Sequence, residues 1–295
     1  MMLRLTCTIA ALLVAATGDA LARDEVIPLE TPPYFAQLDG GYLYRTADQA
    51  TASLSGQQLT IFEQTVRSWQ VGGHATVPIA FGLGARVRVQ GGSSRTTQAG
   101  FGSESGGAIG QGEVFWRDPT RGQIGVGYGY GWSSPRTPSS VQSTRTHRVP
   151  VFASLYMPDL DGSTVDWNAS FTYDFQSLRG DTGTTSQWAY EVRGSSIWYV
   201  NRLAAFEGGV RYQRLLASQQ SDVLEGTFAL ELLVPSGRAR SYATVSAVGA
   251  VGRAEAKDLA APFSSLSRMT WQVGGEVTVF FPGVDSLVEL NRAYR

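Results

Sequence analysis

Apolar and polar residues alternate with a period of two along most of this sequence. The clearest segment is 165–176, where the odd positions are apolar or aromatic and the even positions are polar. A β-strand divides its residues between two faces in this way, whereas a helix face repeats only after about 3.6 residues. The same pattern recurs at 69–81, 123–132, 204–212, 224–234 and 269–281. The alternation therefore predicts an all-β chain.

Two kinds of connection separate these segments. The first kind is tight and rich in Gly, Asp and Pro, which favour hairpin turns, and it occurs at 82–85, 118–122, 159–162, 201–202 and 235–237. The second kind is longer and polar, and it occurs at about 47–56, 92–106, 133–146, 178–186, 216–222 and 253–267. Short turns at one end and long loops at the other are typical of transmembrane barrels. Counting segments between the connections gives about twelve strands, with fourteen possible.

The first residues are typical of a cleaved signal peptide. Arg4 supplies a positive charge, an apolar stretch follows at 5–16, and Ala20-Leu21-Ala22 presents small residues ahead of a cleavage point before Arg23. We therefore predict a signal peptide at 1–22 and a periplasmic segment at 23–35. The only cysteine, Cys7, lies within the signal peptide, so a cleaved chain has no disulfide and no thiolate metal site.

A soluble β-sandwich also alternates, so the choice between sandwich and membrane barrel depends on the aromatic residues. Many of them lie near strand ends on the apolar faces, as interfacial aromatics of a membrane protein do. The residues assigned to this aromatic girdle are Trp69, Trp132, Trp167, Trp188, Trp198, Tyr199 and Trp271. With the signal peptide, they favour a transmembrane antiparallel up-and-down β-barrel over residues 36–281.

Composition narrows the function further. The net charge is −1, which gives no basic patch for nucleic acid. Glycine is abundant, at 34 residues, and alternates on one strand at 125–131. An inward glycine stripe leaves room for an opposing side chain, a folded-in loop or curvature of the wall. We predict that the bore is least obstructed beside this strand.

Over residues 36–281 the chain resembles bacterial outer-membrane β-barrel proteins. More loosely, the strand–turn–strand at 77–89 resembles a hairpin of outer-membrane transporters of the phenol-degradation-pathway type. The resemblance implies a place in the outer membrane of a Gram-negative bacterium, contact with its lipid, and insertion by the barrel-assembly machinery. Such barrels usually end on an aromatic residue, but this chain ends Ala293-Tyr294-Arg295. Residues 282–295 are therefore either a tail after Phe281 or a further strand.

No enzyme motif stands out. Outer-membrane hydrolases use a histidine near a serine or a paired acid, and this sequence has only His74 and His147. Neither lies in a serine-bearing motif, and no nucleotide loop or HExxH motif occurs. We predict no catalytic residues, no cofactor and no metal, and keep a hydrolase as a minor alternative.

The charged residues on the polar strand faces are the remaining functional signal. The alternation predicts that they line the lumen, where they either set the solute preference of a water-filled path or brace the wall as salt bridges. The set is Arg86, Arg88, Glu113, Arg117, Arg148, Asp166, Asp174, Glu191, Arg193, Glu207, Arg211, Glu225, Glu231 and Glu276. The expected function is a channel or small-solute transporter with a mixed-charge lumen. The alternative is a non-conducting structural or adhesive barrel.

Overall fold

A computed structural model of the chain describes most of the residues that follow the predicted signal peptide. The described residues are 35–47, 50–54, 57–61, 64–98, 101–118, 120–135, 141–157, 164–181, 183–217, 219–235, 240–258 and 265–294. The predicted signal peptide at 1–22 and the segment at 23–34 lie outside them, as does the predicted turn at 159–162.

Long antiparallel strands make up almost all of the described chain, and most have 13–20 residues. They are β1 (Phe35–Ala47), β2 (Ala50–Leu54), β3 (Gln57–Ile61), β4 (Gln64–Ala80), β5 (Leu83–Gln98), β6 (Phe101–Asp118), β7 (Gly122–Pro135), β8 (Val141–Met157), β9 (Thr164–Gly180), β10 (Gly183–Asn201), β11 (Ala204–Leu216), β12 (Gln219–Leu233), β13 (Ser241–Asp258) and β14 (Ser265–Val284).

The sheet closes on itself. Each of β4 to β14 pairs with its neighbour in sequence, and β1 pairs with both β4 and β14. These twelve strands form a closed barrel, which leaves no strand edge unpaired within the wall. The short hairpin β2–β3 pairs with the start of β14. The predicted up-and-down β-barrel is confirmed, with twelve strands in its wall.

The outer face of the barrel is apolar and exposed. Leu38, Ile79, Val126 and Phe228, on four different strands, all have more than a third of their surface exposed. In water such a surface would drive association, whereas the hydrocarbon core of a bilayer accommodates it. The seven tryptophans lie on this face. Trp69, Trp132, Trp188 and Trp271 lie towards one rim, and Trp116, Trp167 and Trp198 lie towards the other.

The long loops expected from the sequence are wrong in extent, because the strands continue into them. β5 and β6 pair from Leu83–Trp116 to Gln98–Phe101, through most of the predicted loop at 92–106. Along this stretch the outward residues of β5 change from valines to serine, arginine and threonine. Backbone hydrogen bonds continue where apolar faces stop, so alternation ends at the membrane although the strands do not. These polar arms mark the extracellular end of the barrel.

The C-terminal segment is a helix, not a further strand. β14 runs to Val284, and α1 follows at Leu287–Tyr294. Its start carries a cap in which the Glu289 N–H donates to Ser286 Oγ and the Glu289 carboxylate accepts from the Asp285 N–H. No helix among the described residues is long and apolar enough to cross a membrane.

Candidate functional site in the barrel lumen

Helix α1 lies inside the periplasmic end of the barrel. Its Leu287 and Leu290 are buried against inward-facing residues from five strands. We call this set the apolar cluster, and it comprises Phe35, Ile197, Tyr199, Ala205, Leu233, Phe280, Val284, Leu287 and Leu290. Burying this much apolar surface is the main term that favours the docked helix. The backbone adds a hydrogen bond from the Leu287 N–H to the Arg202 carbonyl.

A buried ion pair holds the end of α1. Arg292 donates to Asp166 on β9, through Nη2 at 2.7 Å and Nε at 3.1 Å. Tyr199 donates a further hydrogen bond to Asp166, and the Arg292 guanidinium lies 5.1 Å from the ring centre of Tyr156. Tyr156 also donates to the Arg292 carbonyl. Both charged side chains are buried, so each depends on the other for compensation.

Two further polar side chains of α1 are buried or half-buried. Asn291 donates to Glu231 on β12 at 3.3 Å. Glu289 lies on the other side of α1, where burial raises the pKa of its carboxyl above the usual value and the Asp285 N–H opposes this shift. Helix α1 is thus joined to the barrel wall by apolar contacts, one buried ion pair and hydrogen bonds.

Above the helix, the lumen holds a polar cavity of about 480 Å³ that we call the lumen cavity. Strands β5 to β11 line it, and all of them except β7 supply at least one charged side chain. Arg148 donates to both oxygens of Asp174, at 2.8 and 2.9 Å. Arg193 pairs with Glu191 two residues before it on β10. The cavity is therefore lined by ion pairs, and the lining charges do not stand alone.

The Arg86–Glu113 pair lies beside the glycine stripe of β7. Arg86 donates to Glu113 at 2.5 Å, and its guanidinium lies between the rings of Phe115 and Phe152, 5.4 and 5.2 Å from their centres. The ring of Phe152 and the Cβ of Phe115 occupy the space that Gly125 leaves open. The expectation that the bore is least obstructed here is wrong, because side chains from β6 and β8 cover the glycines. The stripe makes room for opposing side chains instead.

A larger side chain at Gly125 tests whether the glycine stripe of β7 makes room for opposing side chains. A Cβ on Gly125 would lie 2.4 Å from Phe152 Cζ and 2.7 Å from Phe115 Cβ. We expect Gly125→Val to lower the free energy of unfolding by about 1–3 kcal/mol, the usual cost of overpacking. Urea unfolding followed by tryptophan fluorescence measures it. Gly112→Val is the matched control, because a Cβ there meets nothing within 4 Å; equal losses in both variants would contradict the role of the stripe.

A second buried acid joins distant strands. Glu225 on β12 accepts from Arg211 on β11 and from Arg45 on β1, the latter at 2.9 Å. Thr270 on β14 donates to the same carboxylate at 3.3 Å. Arg211 stands opposite Glu225 on the neighbouring strand, whereas Glu225 reaches β14 and β1 across Gly252 of β13, its partner in register, where a Cβ would lie 2.5 Å from Glu225 Cγ. The interaction spans the strands that close the barrel.

Four other predicted lumen residues also lie on the inner face of the wall. Arg88 is the more distant partner of Glu113, at 3.9 Å. Glu207 lines the lumen cavity, Glu276 lies opposite Gly41 and Ser246, and Arg117 lies at the periplasmic end of β6. Placing Tyr199 in the aromatic girdle is wrong. Its neighbour Trp198 faces outward, so Tyr199 faces inward, where it contacts Asp166.

The two histidines lie on opposite faces of the wall. His74 is on the inner face of β4, with its ring 5.8 Å from that of Phe35. His147 is on the outer face of β8, where its Nδ1 shares a hydrogen bond of 2.7 Å with the Tyr128 hydroxyl. They cannot act on one substrate. No group of three or more metal-ligating side chains occurs within the part of the chain that the structure describes.

Sequence reasoning missed Arg45, Asn291 and Arg292. Arg45 and Asp39 are both at odd positions of β1, so their side chains lie on the same inner face. The alternation along β1 could therefore have predicted Arg45 as a lumen residue. The helix has its own signal, since Ser286 and Glu289 have capping-box spacing and Leu287 and Leu290 lie three residues apart.

The closed wall, the apolar outer face and the polar lumen define a class: a transmembrane β-barrel. No protein-family model matches the chain, and no curated protein matches it. Among solved structures, it is similar to an outer-membrane channel from Pseudomonas putida F1, with a TM-score of 0.59 and 8% identity over 87% of this chain and 100% of that chain. It is also similar to the translocator domain of the autotransporter NalP from Neisseria meningitidis, with a TM-score of 0.50 and 8% identity over 92% of this chain and 95% of that chain. These are likenesses of fold, and they confirm the resemblance to outer-membrane β-barrels.

Proposed function

We propose that this chain is a channel for small solutes, with its path through the lumen cavity and α1 as the closure at the periplasmic end. The observation that carries the proposal is a charged and polar cavity directly above an apolar cluster. A barrel that serves only as a scaffold gains stability from a filled core, as the apolar cluster provides. The polar cavity adds nothing to that core, and it is suited to hydrated solutes.

The contacts of α1 support its role as a movable closure. The helix follows β14 after two residues and contacts the wall mainly through side chains. It can therefore leave the lumen without breaking any strand pairing. Solute passage from the cavity to the periplasm then requires only that α1 undock.

Planar-bilayer recording of the refolded protein tests this function. We expect rare openings in the wild type and sustained openings in Leu287→Asp, because a carboxylate in the apolar cluster is strongly disfavoured when α1 is docked. The control is Leu38→Ala, which changes the outer face alone. No conductance in wild type or Leu287→Asp at either polarity would contradict the proposal and favour a structural or adhesive barrel.

A further inference from the structure

The ion pairs of the lumen cavity are asymmetric in their exposure. In three of them the arginine side chain is more exposed than the carboxylate side chain: 44% against 4% for Arg88 and Glu113, 36% against 10% for Arg148 and Asp174, and 55% against 19% for Arg193 and Glu191. In the fourth, Arg86 and Glu113 are both buried. The carboxylates lie against the wall and the guanidiniums lie over them. The charge that a solute meets at the cavity surface therefore differs from the summed charge of the lining residues.

That sum is neutral. Arg86, Arg88, Arg148 and Arg193 line the cavity with Glu113, Asp174, Glu191 and Glu207. A count of charges therefore predicts no preference between anions and cations. A solute, however, interacts most strongly with the charges that it can approach, because Coulomb energy falls with distance.

Hydrogen bonds strengthen the asymmetry. The Glu113 carboxylate accepts from Arg86 on one oxygen and from Gln111 on the other. Both oxygens of Asp174 accept from Arg148. Each guanidinium has five N–H groups, more than one carboxylate partner can accept. The carboxylates of Glu113 and Asp174 are thus engaged by the protein, while Arg88, Arg148 and Arg193 line the cavity with N–H groups beyond those that their partners accept.

We propose that the lumen cavity binds small oxyanions such as carboxylates, with Arg88, Arg148 and Arg193 as the binding residues. Guanidinium groups bind carboxylates through paired N–H···O hydrogen bonds, and the carboxylates behind them keep each arginine in place. This inference rests on the proposed channel function and names its solute class. The passage of anions would be favoured over that of cations of equal size.

Calorimetric titration of the refolded protein in detergent at low salt tests binding, with citrate as the anionic probe and choline as the cationic one. We expect citrate to bind and choline not to bind. Arg88→Gln and Arg193→Gln should each weaken citrate binding about fivefold, the effect of one unit charge near a solvated site. Arg88→Lys keeps the charge and should lose less. Arg121→Gln, on an exposed periplasmic turn, should bind as wild type does.

Two outcomes overturn the inference: no citrate binding, or unchanged citrate binding in the Arg88→Gln/Arg193→Gln double variant. Reversal potentials of Leu287→Asp in a KCl gradient separate it from the channel function. Citrate binding without conductance would support the anion site and contradict the channel. Conductance that favours K⁺, without citrate binding, would support the channel and contradict the anion site.

Discussion

The Asp166→Asn variant should conduct far more readily than the wild type, although the substitution removes a single charge. Arg292 would remain inside the periplasmic end of the lumen without its carboxylate partner. Removing one partner of a buried ion pair costs about 3–5 kcal/mol. Because Arg292 can reach water by undocking α1, the cost falls on the docked state. A shift of this size raises the undocked population by about a hundredfold or more.

Two measurements check this result. Bilayer recording gives the open probability. Labelling of Val288→Cys by a polar thiol reagent gives the exposure of α1 directly, in a chain where Cys7, the only native cysteine, is replaced by serine. Labelling should be faster in the Asp166→Asn background. Asp118→Asn is the control, because the Asp118 carboxylate contacts Thr120 and Arg121 on the periplasmic turn and, among the described residues, makes no ion pair with α1.

A double-mutant cycle shows whether the two charges act together. We expect Arg292→Gln added to Asp166→Asn to lower the open probability towards the wild-type value, because the uncompensated buried charge is then gone. If the two substitutions had additive effects, the ion pair would not be what holds α1. If Asp166→Asn behaved as wild type while Leu287→Asp opened the channel, the apolar cluster alone would hold it.

The wall of the barrel was predictable because its signal is local. Six stretches of the wall, among them 165–176, alternate over nine or more residues, and a strand requires no other information. The signal fails above the membrane, where both faces are polar. There β5 and β6 keep pairing as far as Gln98 and Phe101, but no alternation marks them.

The contacts within the lumen were not predictable, because they depend on register. The alternation of each strand placed Glu113 and Glu225 on the inner face. Their cross-strand partners, however, depend on the register, that is, on which residues of the neighbouring strands lie opposite them. Gly127 stands opposite Glu113 and Gly252 stands opposite Glu225. In both cases the missing side chain lets the carboxylate lean across the neighbouring strand. Only the paired sheet shows that glycine and acid belong together.

The largest loss of stability should follow from Glu225→Gln. The carboxylate is almost wholly buried and accepts from Arg45, Arg211 and Thr270. Glutamine keeps the shape but leaves two guanidiniums close together with no opposing charge. We expect a loss of about 3–5 kcal/mol in the free energy of unfolding, as for other buried pairs broken on one side. Urea unfolding in micelles and the temperature of the heat-dependent gel shift measure it.

The matched control is Glu255→Gln on the extracellular arm of β13. Glu255 also pairs with an arginine, Arg253 at 2.8 Å, but both side chains are exposed. Exposed pairs contribute at most about 1 kcal/mol, so this variant should unfold close to wild type. Equal stability of the two variants would contradict the bracing role. A selective loss in Glu225→Gln would show that the buried charges of β1, β11 and β12 stabilise the closure of the barrel.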